Sequence, residues 1–136
     1  MAIHIQSGKT KACHNTQLKI QYMPFKIAAD SEANVSSYFD KYVKLKEDSN
    51  YNASFRGYPL TGKKIDIPDG YKGVILHERI KPVTDKDDRN FYVINEFNSF
   101  MYWNWDKVPS KNDPILQTID DWFDIAEALH SPIIEQ

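Results

Sequence analysis

The sequence predicts a mainly β, α+β domain: a barrel-like antiparallel sheet with one helix at its C-terminal end. Three observations carry this. Ala53 to Glu78 alternates apolar and polar positions in short segments separated by turn residues; Phe91 to Trp105 holds two more alternating, aromatic-rich runs; and after Asp113-Pro114 the apolar spacing changes to three and four. A period of two puts one strand face inside and the other outside, whereas a period near 3.6 marks a helix. Six or so strand signals at hairpin spacing and one closing helix fit a small β domain. The chain divides into residues 1–16, flexible or at a sheet edge, and a single domain over 17–136.

Residues 1–16 are polar and without clear period. Cys13-His14 has the ligand types for half of a metal site, but no second pair stands at ligand spacing, and the pair reads as surface. Leu18, Ile20 and Tyr22 alternate with Lys19 and Gln21, giving a strand whose Pro24 end belongs at an edge or bulge, because proline has no N–H to donate. Val35, Tyr38, Phe39, Tyr42 and Leu45 are spaced for a short amphipathic helix.

In the central stretch Phe55, Gly57, Ile65, Ile67, Tyr71, Gly73 and Ile75 fall at alternating positions within their segments. Leu60-Thr61-Gly62-Lys63 and Pro68-Asp69-Gly70 supply turn chemistry, so a three-stranded meander is expected, with Phe55, Gly57, Gly62 and Gly70 as structural positions. Arg56 faces away from Phe55 in such a strand. Its flat guanidinium suits a bidentate carboxylate pair or stacking on Tyr58, either pinning the meander or meeting another subunit.

Lys81 to Arg89 is a charged loop. Asp85, Asp87 and Asp88 lack the bend glycine and distal glutamate of a calcium loop, so a solvated turn is expected. Phe91–Phe97 and Phe100–Trp105 then read as strands forming a hairpin through Asn98-Ser99. Met101, Trp103 and Trp105 share one face of the second strand, and Phe100 and Tyr102 share the other. With both faces apolar, either the strand is buried between layers or one face meets a partner; Arg56, Tyr58, Met101, Trp103 and Trp105 are therefore the candidate partner-interface residues. The helix opens with Asp113 as cap and Pro114 at its first position, and Ile115, Ile119, Trp122, Phe123, Ala126 and Leu129 form its apolar stripe. A break between Thr118 and Asp120 is compatible with this spacing. Trp122 is expected to close the barrel end or pin the helix to the core.

A formal net charge of −2 gives no global attraction for a polyanion, and the single cysteine excludes an internal disulfide. There is no apolar run of membrane-spanning length and no secretory signal, so an intracellular protein is expected. The common nucleotide, nucleophile and metalloprotease signatures are absent. Asp66, Glu78, Asp85, Asp88 and Glu96 are acids without motif context, and no catalytic, metal or cofactor-binding residue is assigned.

The segment SFRGYPLTGKKIDIPDGYKGVILHE, with Met23-Pro24-Phe25-Lys26-Ile27, Asp30 and Tyr38-Phe39 before it, resembles the C-type, non-catalytic subunit family of eukaryotic type 2 ribonuclease H. Asn98 to Trp103, Val108-Pro109, and Trp122 with Ile125-Ala126-x-Ala128-Leu129-His130 continue the resemblance, which covers roughly residues 18–131. The family pattern would make Tyr38-Phe39 an extended anchor rather than part of a helix. The resemblance implies a nuclear scaffold that interweaves with the B-type subunit in a triple barrel and docks on the A-type, catalytic subunit. It implies cleavage of RNA in RNA–DNA hybrids and at single ribonucleotides in DNA, with divalent metal (Mg) held by the catalytic A-type partner and no cofactor in this chain. Two alternatives stand beside it. One is an autonomous oligonucleotide-binding barrel stacking bases on Tyr58, Tyr102, Trp103 and Trp105; the other is a small hydrolase using the scattered acids.

Overall fold

The structure, a computed structural model, describes residues 1–7, 18–46 and 48–132. Cys13 and His14 lie outside the described residues. The chain runs through β1 (Ile3–Gln6), β2 (Gln21–Tyr22), α1 (Val35–Tyr38), a 3-10 turn (Asp40–Tyr42), β3 (Lys44–Leu45), β4 (Asn50–Phe55), β5 (Tyr58–Asp66), β6 (Gly73–Glu78), β7 (Arg89–Phe97), β8 (Ser99–Trp105) and α2 (Pro114–His130). Strand order is β1-β7-β6 in one sheet and β2-β8-β5-β4-β3 in the other. The mainly β class with a C-terminal helix is as expected. The single antiparallel sheet is not: both sheets are open and of mixed direction, β1 running parallel to β7 and β2 parallel to β8.

Two expected hairpins dissolve for one reason. Only Asn98 separates β7 from β8, too little chain for the usual two-residue reversal, so β8 leaves the first sheet and pairs in the second. The meander breaks at the same corner. Ile67 N–H donates to the Asn98 carbonyl at 2.8 Å, beyond which β6 turns to pair with β7 instead of β5. Leu60-Thr61-Gly62-Lys63 is not a turn but the interior of the nine-residue β5, with Leu60 and Gly62 buried. The true reversal between β4 and β5 is Arg56-Gly57, with φ of 51° and 85°. Both positive values match the primed turns whose twist suits two joined strands. Gly57→Ala should therefore lower stability by about 1–2 kcal/mol although no atom lies within 4 Å of the added Cβ, because the cost is conformational. Thermal unfolding checks this; an unchanged melting temperature would sink the turn assignment. The second expected turn is present, with Tyr71 N–H donating to the Pro68 carbonyl at 3.1 Å and Gly70 at φ 88°.

The chain clusters into two compact units. The first is Met1–Ala33 with Lys63–Trp103. In it β6 and β7 form an antiparallel pair with a bulge opposite Ile75/Leu76, where Ile75 faces Asn95 and Leu76 faces Val93. Ile94 is the extra residue, which interrupts the clean alternation expected along β7. Gly73 stands opposite Phe97, and a Cβ there would overlap the Phe97 ring, so close packing rather than a turn fixes this glycine. Gln21 anchors the short β2: its Oε1 accepts from Trp103 Nε1 at 2.6 Å, and Tyr22 stacks on Tyr102 at 5.5 Å.

The second unit is Asn34–Gly62 with Asn104–Gln136. Residues 34–45 combine the single helical turn α1, the 3-10 turn and the two-residue β3, so the helical option holds only over Val35–Tyr38. Phe39 between the two turns is buried while Tyr38 is exposed, so one residue of the pair is the anchor. α2 is continuous, without the break that the spacing permitted, and Pro114 opens it.

Candidate partner interface

The buried apolar residues among those described are Phe39, Leu60, Tyr102, Trp103 and Leu116. Against these five stand twenty-two exposed large apolar or aromatic side chains. Scattered exposure is ordinary, but here it gathers on particular elements. β1 leaves Ile3 and Ile5 exposed, β6 leaves Val74 and Leu76, and α2 leaves Trp122, Ile125 and Leu129. At about 100° per residue these last three form one stripe, beside a second stripe of Leu116, Ile119, Phe123 and Ala126 that is buried or half-buried. The apolar arc of α2 is thus about twice as wide as the part of it that is buried or half-buried.

This corrects the expectation for Trp122. It is 65% exposed and lies on the outer stripe, so it neither closes a barrel nor pins the helix. Trp103 is corrected in the opposite sense: at 0% exposure, with its indole N–H on Gln21, it is core and unavailable to a partner. Met101 is half-buried. Trp105, two residues on, is 40% exposed and meets Tyr58 edge to face, ring centroids 5.6 Å apart at 73°. Asp106 N–H donates to the Pro59 carbonyl at 3.2 Å, holding the two strand ends together. Arg56 is on a turn instead of a strand, its guanidinium 5.5 Å from the Phe55 ring centroid rather than on Tyr58 or a carboxylate. Phe55 itself is half-buried.

The bidentate pair anticipated for Arg56 belongs to Arg89, whose Nε and Nη2 donate to the Glu78 carboxylate at 2.8 and 2.7 Å. Those hydrogen bonds hold Glu78 below the usual carboxylate range against the opposing effect of burial. The other acids are dispersed. Asp66 meets Lys64 at 2.9 Å and Glu96 meets Lys72 at 3.5 Å. Asp87 accepts from Thr84 N–H, and Asp88 from Ala2 N–H. No three His, Cys, Asp or Glu side chains among the described residues converge as a metal site would require.

One polar centre escaped the sequence. Asp113, 4% exposed, accepts from Asn104 Nδ2 at 2.8 Å and Ser110 N–H at 3.0 Å, with Lys107 Nζ 3.5 Å away. Burial pushes its carboxyl up, but the Ser110 and Asn104 hydrogen bonds and the Lys107 charge outweigh this and hold it below its ordinary value. Its side chain makes no cap bond to α2; it organises the loop between β8 and the helix. The Asp-Pro signal marked the helix start but not this role, which depends on Asn104, nine residues away.

The model of the family described as Ribonuclease H2 non-catalytic subunit (Ylr154p-like) matches residues 19–91 and 81–129. The chain belongs to this family. Among its relatives, the C-type subunit of ribonuclease H2 from Mus musculus is 22% identical over 156 residues, covering 98% of this chain and 92% of the mouse protein. The C-type subunit of ribonuclease H2 from Bos taurus is 24% identical over 138 residues, covering 85% and 82% respectively. A ribonuclease H2 non-catalytic subunit is one component of a larger enzyme and partners other ribonuclease H2 subunits. The exposed apolar faces suit that membership: they are surfaces this subunit does not cover itself.

Proposed function

We propose that this chain is the scaffold subunit of a heterotrimeric type 2 ribonuclease H, which cleaves RNA in RNA–DNA hybrids and at single ribonucleotides embedded in DNA. In this reading the B-type subunit shares a triple barrel with this chain, the A-type subunit holds the divalent metal and performs the chemistry, and the complex works in the nucleus. The observation that carries it is the apolar outer stripe of α2, Trp122, Ile125 and Leu129, together with, in the other unit, the exposed isoleucines of β1 and the exposed Val74 and Leu76 of β6. Fully covering a large aliphatic or aromatic side chain is worth about 1.5–3 kcal/mol, so such faces favour association strongly. The acids do not support a two-metal nuclease site, since among the described residues no three His, Cys, Asp or Glu side chains converge, and Glu78, Asp66, Asp88 and Asp113 are each tied to a separate partner. The oligonucleotide-barrel alternative loses half its stacking platform, because Tyr102 and Trp103 are buried.

Co-expression with A- and B-type subunits tests the proposal: a stable complex that cleaves RNA–DNA hybrids is expected, and turnover by the purified chain alone would sink the scaffold role. Trp122→Ala refines the test. Substitution of an exposed residue shifts stability by only about 0.5 kcal/mol, whereas truncating an interface tryptophan costs roughly 2 kcal/mol or more of binding. The free chain should melt almost as before, and the yield of assembled complex should fall. Full assembly by the variant would exclude the outer stripe from the interface.

A further inference from the structure

Tyr58, Pro59, Trp105 and Asp106 line a cleft of about 460 Å³ at the joined ends of β4–β5 and β8. Its lining is almost wholly apolar, with Asp106 as its one acidic residue. Two aromatic rings at 73° make a concave corner, and the Asp106 N–H bond to the Pro59 carbonyl ties the two backbone segments that carry them. Asp106 stands at φ 42°, a conformation that aspartate tolerates better than most residues. Its carboxylate has no hydrogen-bond or ion-pair partner among the described residues. The neighbouring cations are engaged elsewhere: Lys107 Nζ is 3.5 Å from Asp113, and the Arg56 guanidinium lies over Phe55.

Aromatic faces attract cations through their quadrupole, tryptophan most strongly, and an adjacent carboxylate supplies the counter-charge. We infer that this cleft receives a lysine or arginine side chain from a partner subunit, its methylene stem on Pro59 and Tyr58 and its charged end between Trp105 and Asp106. The inference rests on the proposal that other subunits cover this chain, and it names the chemistry of one contact. A purely apolar side chain would leave the Asp106 carboxylate desolvated without compensation, and an acidic one would be repelled by it.

The test uses the complex assembled by co-expression, with the photoreactive p-benzoylphenylalanine in place of Tyr58. Irradiation followed by mass spectrometry should find a bond to another subunit within two or three residues of a lysine or arginine. A bond to a segment lacking both, or none to another subunit in an assembled complex, overturns the inference alone. Failure of the unsubstituted chain to assemble with those subunits overturns the partnership itself, and the inference with it. Asp106→Asn, which preserves the tolerated backbone conformation, and Trp105→Leu supply the second measurement. Each should weaken assembly about 2- to 30-fold, the range of a cation–π or exposed charge contact. Asp106→Asn should also reduce the salt dependence of dissociation, while unchanged affinity and salt dependence would remove the carboxylate from the contact.

Discussion

Trp103→Ala is expected to lower stability by about 3–5 kcal/mol, the usual cost of deleting a buried tryptophan and comparable with the whole margin of many domains. Trp103 is fully buried, and its indole N–H donates to Gln21 Oε1 at 2.6 Å, so truncation opens a cavity and removes a hydrogen bond that ties β2 to β8. Trp103→Phe should cost less, keeping most of the volume while losing the N–H. Circular dichroism during thermal or urea unfolding separates the two without relying on tryptophan emission. The comparison with Trp122→Ala is informative, because both residues are tryptophans on apolar stripes and only one is covered by this chain. Equal effects on the free chain would contradict the burial difference on which the interface assignment stands.

Asp113→Ala should cost about 2–4 kcal/mol, because it leaves the Asn104 amide and Ser110 N–H without the acceptor that satisfies them and Lys107 without its counter-charge. The pH dependence follows from the lowered carboxyl of Asp113. A folded value below the unfolded one, which lies at about 3.9, means that the carboxylate stabilises the fold above that pH. The contribution is lost as pH falls from there through the depressed folded value. Stability measured from neutral pH into acid should therefore fall more steeply for the native chain than for Asp113→Asn below about pH 4. A difference curve that stays flat through this range would show that the carboxylate charge is not what organises the loop. Above it, both variants should keep a constant offset from the native chain.

The β4–β5 turn shows where sequence reading stops. Glycine at 57 and glycine at 62 are equally compatible with a reversal, and Leu60-Thr61-Gly62-Lys63 has the better turn composition. Arg56-Gly57 wins because it leaves nine residues for β5, with Leu60 and Gly62 buried, at the cost of holding one non-glycine residue at positive φ. Trp103 and Trp105 show the same limit. They have the same parity on β8, so period two assigns them one face, yet one is sealed and the other exposed because coverage changes along the strand.

The sequence by itself determined that the chain is mainly β, that a turn stands at Pro68–Tyr71, that a helix begins at Pro114, and to which family the chain belongs. These follow from short-range causes: side-chain alternation, the fixed φ of proline, the freedom of glycine, and an ordered series of motifs. Only the tertiary structure decided which strand pairs with which, that Arg89 rather than Arg56 makes the bidentate ion pair, that Asp113 is a buried hub, and that Trp122 faces outward. Those depend on groups distant in sequence. Periodicity states which face of an element is apolar but not what will cover it; a one-residue link at Asn98 sent β8 into the second sheet, and half of the apolar arc of α2 stays exposed.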